Sequence, residues 1–449
     1  MVRLPPIKAK AGFPGRTVID QTPDGYEPFV IAELSRTLAP GGPILFVARD
    51  GQRLPAIAEM LRFIDPALPQ LMLPAWDCLP YDRVSPGADA TARRLDAMAG
   101  LAALRERPHR AVVLTSVNAL MQLMPPPETV LGQVLEARPG NRLDMNGLVG
   151  RLEQSGFERV GSVRDVGEFA VRGGILDVFA PGAEEPLRLD FFGDTLETIR
   201  AFDPATQRTS GQRQSFRLGA MSEVKLDPET ISRFRSRYLA TFGAPSRDDV
   251  LYASISEGRR FAGMEHWLGF FHERLVTLFD YLPDAPVVLD HLADEAIDAR
   301  HAQILDHYEG RKRQADTPAL ADAVPYKPAA PGNLYLDPDQ IRQATADHPA
   351  FVLTPFETPT ASYRAVVHAG AAPGRSFAEQ RADPNANVFD HVVRHIADLA
   401  SSGKQVLVAG WSEGSLDRMQ QILAEHGLAR PEKVATLAQL GAVRRGVAA

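Results

Sequence analysis

A chain of 449 residues is too long to bury around a single hydrophobic core, so about two to four domains are expected. With 45% hydrophobic and 23% charged residues the composition is globular, and the one cysteine, Cys78, excludes an internal disulfide and fits a reducing, cytoplasmic setting. A net charge of −7 weighs against constitutive tight binding to nucleic acid, and no run of about 18 apolar residues offers a membrane span.

In chain order, the basic N-terminus MVRLPPIKAKAGFPGR comes first and lacks the apolar core of a secretory signal. Pro43 to Ala48 (PILFVA) then reads as a buried strand, Leu54 to Ile64 as a helix and Gln70 to Pro74 as a second strand. An alanine-rich helix from Ala90 to Arg107 leads into a third strand, Ala111 to Ser116, and a short helix ending at Met124. Strands joined by helices predict a parallel sheet covered on both faces. Pro125-Pro126-Pro127 breaks the pattern.

Beyond these prolines the chain changes character. An amphipathic helix, Asp144 to Ser155, precedes a set of short alternating strands. Phe169 and Val171 point one way and Arg172 the other. Gly173-Gly174 marks a bulge or sharp bend, and Ile175 to Phe179 runs on to Pro181-Gly182. Leu187, Leu189 and Phe191 alternate with Arg188, Asp190 and Phe192, the period-two pattern of a half-buried strand. Gly193-Asp194 supplies a turn, and Thr195 to Phe202 returns as the other arm of a hairpin. With the leucines facing a core, Arg188 and Phe192 share the opposite face. The arginines also fit a plain reading as solvated residues paired with Asp190 or Glu168. Phe192 does not: a large ring on a polar face is either covered by another part of the chain or kept for a partner.

Alternation of strand and helix resumes beyond about residue 218. Pro286 to Asp290 (PVVLD) is a buried-type strand followed by a helix through Glu309, and Arg311 to Gly332 reads as a polar, proline-rich connector. The last part has strands at Phe351 to Thr354, Val366 to Ala369 and Gln405 to Ala409, with helices at Val388 to Ser401 and Ser415 to Glu425. This predicts a second, smaller α/β unit, with the middle region inserted into the first.

Few residues point to chemistry. A phosphate-cradling loop of the GxxxxGK[ST] type does not occur: Gly12 to Thr17 has glycines without a lysine, and Gly403-Lys404 is followed by Gln405 rather than a hydroxyl. Asp290 ends a strand where an acidic magnesium ligand would sit, but without that loop a helix-capping role fits better. His391 and His395 are four apart on a helix, yet Val392 stands where a zinc peptidase needs glutamate. Gly410 to Gly414 (GWSEG) has the wrong order for a hydrolase elbow. Cys78 reads as a structural thiol, and Arg93 and Arg94, the one local basic pair considered for nucleic acid, as solvated helix residues. No catalytic residue, metal site or cofactor is assigned.

The run GEFAVRGGILDVFAPGAEEPLRLDFFGDTLETIRAFDPATQRT, Gly167 to Thr209, resembles the second domain of the bacterial transcription-repair coupling factor family, Mfd. That domain is similar to the one through which the helicase UvrB meets UvrA. Leu73 to Pro86 with Thr115 to Pro126, Gly263 to Pro283, and Val406 to Leu423 resemble further parts of the family in the same order. The resemblance implies a helicase-lobe-like parallel-sheet domain, α/β, interrupted by a small antiparallel α+β domain and followed by a smaller α/β domain. The implied boundaries are 1–128 and 219–340 for the two halves of the first domain, 129–218 for the insertion and 341–449 for the third.

It also implies a first domain without a working nucleotide site, and no damage-probing hairpin, since Tyr81 to Arg94 is too short for one. UvrA docking falls by motif on Arg172, Arg188 and Phe192. The family's ATP- and magnesium-dependent DNA translocase and its RNA polymerase contact belong to modules that this sequence does not contain, damaged DNA is met through the full-length protein, and contact of the first domain itself with DNA stays open. The expected function is therefore recruitment of UvrA in transcription-coupled nucleotide-excision repair. The competing expectation is a DNA-stimulated ATPase or helicase domain of UvrB type, favoured only by the layout of the first domain.

Overall fold

A computed structural model describes residues 16–316, 326–359, 365–410, 412–440 and 447–448. Gly12 to Gly15, Trp411 and part of the expected connector lie outside the described residues. The first strands are β1 (Thr17–Asp20), β2 (Pro43–Ala48), β3 (Gln70–Leu73) and β4 (Ala111–Ser116). The chain then builds an insertion with β5 (Leu135–Ala137), β6 (Glu158–Arg159), β7 (Glu168–Arg172), β8 (Ile175–Val178), β9 (Leu187–Phe192), β10 (Thr195–Phe202), β11 (Thr209–Gln212) and β12 (Phe216–Leu218). It returns with β13 (Val287–Leu289), β14 (Ala350–Leu353) and β15 (Val366–His368).

The returning strands join the first four in one seven-stranded sheet, order β15-β1-β14-β13-β2-β4-β3, in which every pairing is parallel. Its strands are short apolar runs because both faces are covered. On β2, Leu45 and Val47 pack toward the helix Ala88–Glu106, while Ile44, Phe46 and Ala48 pack toward the helices Glu27–Thr37 and Leu54–Ile64.

One expectation is corrected here. The strands at 350–353 and 366–368, read from sequence as part of a terminal unit, flank β1 in the large sheet, with Thr17 opposite Phe351 and Val18 opposite Val366. Thr17–Asp20 gives no strand signal in the sequence, because four residues are too few to show a period. Without β1 the two late strands have no visible partner. Beyond them, among the described residues, the helices Val388–Ser401 and Glu413–Glu425 accompany a two-residue strand, Val406–Leu407, paired with Val447–Ala448. No helix among the described residues is long and apolar enough to cross a membrane.

The insertion is closed by its own ends. β5 pairs antiparallel with β12, Leu135 opposite Leu218 and Ala137 opposite Phe216. Between them lies a six-stranded sheet, order β11-β10-β9-β8-β7-β6, backed by the helix Met145–Gln154. Asp144 starts that helix by accepting hydrogen bonds from the Asn146 and Gly147 N–H groups. Leu148 and Leu152, one turn apart, meet Phe169, Leu176, Leu189, Leu196 and Ile199 in the insertion's core.

A buried polar knot joins the insertion to the large-sheet domain. Arg94, with no exposed surface, donates from Nε to Glu223 Oε1 at 2.9 Å and from Nη1 to the Pro74 carbonyl at 2.9 Å. Trp76 Nε1 donates to the same Glu223 oxygen at 2.7 Å. Arg260 donates to the carbonyls of Gln154 and Val224, one on each side of the junction. The expectation of solvated arginines thus holds for Arg93, exposed beside Asp89, and fails for Arg94. The alanine-rich surroundings that read as a plain solvated helix are small because they pack closely, and they leave room for one long polar side chain to reach through.

Nearby, His266 is buried between Trp76 and Tyr81, with ring centroids 5.8 and 6.1 Å away. Burial pushes its imidazole down to about 4. The unfolded chain titrates this group near 6.5, so its folded-state advantage is complete above that pH and is lost as pH falls toward 4. Urea melts at pH 7 and pH 5 should show a clear loss of stability at the lower pH. The loss should be smaller in His266→Phe, with His272, also pushed down by burial, supplying part of the remainder. An unchanged slope in the variant would contradict this.

Candidate functional site

The outer face of the inserted sheet is set by alternation. On β9 the inward residues Leu187, Leu189 and Phe191 contribute to the core, so Arg188, Asp190 and Phe192 turn outward. β9 returns as β10 through Gly193-Asp194, with Phe192 opposite Thr195. Gly193 has φ +57°, a conformation that favours glycine. Phe192 stands at this tip with 77% of its surface exposed.

Of the bulge and the sharp bend expected at Gly173-Gly174, the bend is observed: the two glycines are the turn of a second tight hairpin, with Arg172 paired to Ile175 across it. Gly173 has φ +62°, and a Cβ on Gly174 would lie 2.8 Å from the Phe191 carbonyl oxygen. Neither position accommodates a larger residue easily. The bulge lies elsewhere. In β10 the register shifts between Leu196 and Thr198, so both Leu196 and Ile199 face inward and Arg200 falls opposite Arg188.

The three residues singled out from sequence sit on this face in different states. Arg172 is exposed at the end of β7 and donates from Nη2 to the Gly161 carbonyl at 2.8 Å. It lies in the cross-strand row Arg172, Ile175, Asp190, about 10 Å from β9 at two strand spacings. Arg188 and Phe192 lie on either side of that row along β9. Arg188 is less open than the alternation implies, with 17% of its side chain exposed. It forms a two-pronged pair with buried Asp177, Nε to Oδ1 at 2.7 Å and Nη2 to Oδ2 at 2.8 Å, and its guanidinium lies 4.8 Å from the centre of the Phe202 ring. Its partner is therefore neither Asp190 nor Glu168. Asp190 is taken by Arg200, and Glu168 accepts from the backbone N–H groups of Arg164 and Asp165.

Sequence reading missed Asp177, Arg200 and Phe202, and gave Asp190 the wrong arginine. Their role depends on cross-strand register, and the one signal available, the turn at Gly193-Asp194, gives the wrong register for Arg200 because of the bulge. The face can bind through ion pairs, hydrogen bonds and one apolar anchor, and it holds no group poised for covalent chemistry.

The crevice at the carboxyl ends of the large sheet's strands is where open α/β sheets hold ligands. Here Asp290 is fully buried. It takes the Arg53 guanidinium (Nε to Oδ2, 3.0 Å) and the backbone N–H groups of Arg49 (3.2 Å) and His291 (2.8 Å). Arg53 also meets Glu27 at 2.5 Å. Burial raises the carboxyls of Asp290 and Glu27 above their usual range. The acidic position that resembled a magnesium ligand is thus occupied by a cation of the chain itself. Cys78 is half-buried, and burial together with Asp77 and Glu265 pushes its thiol up to about 12. His395 rests edge-on against Phe377, and among the described residues no three metal-binding side chains converge.

Residues 135–223 match the UvrB interaction domain, a span that begins with β5 and ends at Glu223 in the buried knot. Transcription-repair-coupling factors of Haemophilus influenzae and Escherichia coli K12 are 29% and 32% identical over 371 and 335 residues, or 82% and 74% of this chain. That of Myxococcus xanthus is 36% identical over 303 residues, 64% of the chain. The chain spans 30%, 28% and 24% of the lengths of these relatives. The chain carries a UvrB interaction domain, residues 135–223, and corresponds to the N-terminal portion of the transcription-repair-coupling factors.

Proposed function

We propose that the outer face of the inserted sheet binds UvrA, and that this chain is the repair-recruiting N-terminal module of a factor acting in transcription-coupled nucleotide-excision repair. The observation that carries this is Phe192, 77% exposed at the tip of a tight hairpin beside arginines fixed by the sheet. Exposed aromatic rings and arginines on a rigid element are the residue types on which interface energy concentrates, and a pre-set face loses little freedom on binding. The matched UvrB interaction domain and the names of the relatives support the same reading.

Within it, Arg172, Arg188 and Phe192 are the contact residues. The buried knot fixes the inserted domain to the large-sheet domain. On this reading, removal of stalled RNA polymerase and ATP-driven movement with its magnesium fall to other parts of the full-length factor. With Asp290 neutralised by Arg53, the large-sheet domain serves as a frame.

Hydrogen exchange on the chain with and without UvrA tests the proposal. The amides of the two hairpin turns, Gly173-Gly174 and Gly193-Asp194, should exchange more slowly in the complex. Slowing confined to the large sheet would overturn it.

A further inference from the structure

We infer that Arg200 is a fourth contact residue of this face, held in place by Asp190 and Thr198, and that it meets a carboxylate or carbonyl group of the partner. The inference rests on the docking reading above and extends it to a residue that no motif marks.

The geometry begins with the bulge in β10, which brings Arg200 opposite Arg188 in the row Asp177, Arg188, Arg200. Two arginines side by side would repel, but each has its own acid. Arg188 is held by Asp177. Arg200 is held by Asp190, with Nε to Oδ2 at 3.0 Å and Nη2 to Oδ1 and Oδ2 at 2.9 and 2.8 Å. Thr198 donates its hydroxyl to the same carboxylate and fixes its orientation. Each arginine is therefore paired with an acid on the neighbouring strand, an arrangement that fixes long side chains before any partner arrives.

In both arginines the Nε and Nη2 edge is engaged. Among the described residues the Nη1 end of Arg200 meets no acceptor, and its side chain is 38% exposed against 17% for Arg188. Arg200 is thus the more accessible of the two cations, on the same row and beside the same anchor strand. A guanidinium whose inner edge is neutralised and whose outer donors remain open is suited to a further charge-assisted hydrogen bond, which selects an acceptor on the partner.

The test measures UvrA affinity for the wild-type chain, Phe192→Ala, Arg200→Ala and the double variant Asp190→Asn/Arg200→Ala, with a thermal melt of each. Arg200→Ala should bind about tenfold more weakly with a nearly unchanged melting midpoint, since a half-exposed pair adds little stability. The double variant should stay weak. Wild-type affinity in Arg200→Ala, with Phe192→Ala impaired, overturns the inference and leaves the docking reading intact. Full recovery in the double variant also overturns it, because Arg200 would then serve only to neutralise Asp190. Absence of UvrA binding by the wild-type chain would remove both the docking reading and this inference.

Discussion

Arg94→Ala is expected to destabilise the chain by about 3–5 kcal/mol, the range seen when one member of a buried ion pair is removed. Arg94 and Glu223 have side chains 0% and 1% exposed at 2.9 Å, so the alanine variant leaves a carboxylate with no access to water. Trp76 still donates to it, but the charge has lost its counter-ion. The pair is not fully satisfied even in the native protein. Arg94 Nη2 and Glu223 Oε2 have no hydrogen-bond partner among the described residues.

Removing both charges should therefore be far milder than removing one. Arg94→Met with Glu223→Gln is expected to recover most of the loss, because the desolvation cost of the ions disappears with them. Urea denaturation of the single and double variants measures this. A loss below about 1 kcal/mol for Arg94→Ala would mean that the junction admits water and that the knot does not hold the two domains together. The location gives the effect its functional meaning. Glu223 lies where the chain leaves the insertion, and His272 of the large-sheet domain contacts its carbonyl at 2.8 Å. Loosening this point would let the docking face drift relative to its frame.

The second large effect separates binding from folding. Phe192→Ala should weaken UvrA binding by about 2 kcal/mol or more, roughly thirtyfold. It should change stability by no more than about 0.5 kcal/mol, the range for a surface substitution. With 77% of its surface already in water, the ring contributes little to the fold. Arg188→Ala should lose on both counts. It strips the counter-ion from Asp177, which is 2% exposed, and an orphaned buried acceptor costs about 1–3 kcal/mol or more when charged. The two variants together distinguish a contact residue from one that also holds up the sheet. If Phe192→Ala melted several degrees early, the ring would be a packing residue and the docking reading would lose its anchor.

Much of this was legible in the sequence where periodicity is local. PILFVA, AVVLTS and PVVLD read as buried parallel strands, and each one is, because apolar runs covered on both faces need no distant information. LRLDFF assigned its two faces correctly through Leu189 and Phe192. The failures were all long-range. TVID at Thr17 was too short to notice, and its absence misplaced the strands at 350–353 and 366–368. The extra residue in β10 puts Arg200 rather than Ile199 beside Arg188, and no single-strand pattern encodes a bulge. Arg94 read as solvated because burial of a charge depends on a partner more than a hundred residues away, Glu223. The motif marked Arg172, Arg188 and Phe192 as candidates. The acids and the ring that hold Arg188 and Arg200 became visible only with the register.

Titration of UvrA into the wild-type chain and into Phe192→Ala, in one buffer at one ionic strength, bears most directly on the assignment of this face. That assignment requires saturable binding to the wild-type chain and affinity about thirtyfold weaker or worse for a variant that melts at the wild-type temperature. Equal affinities for the two chains would contradict it.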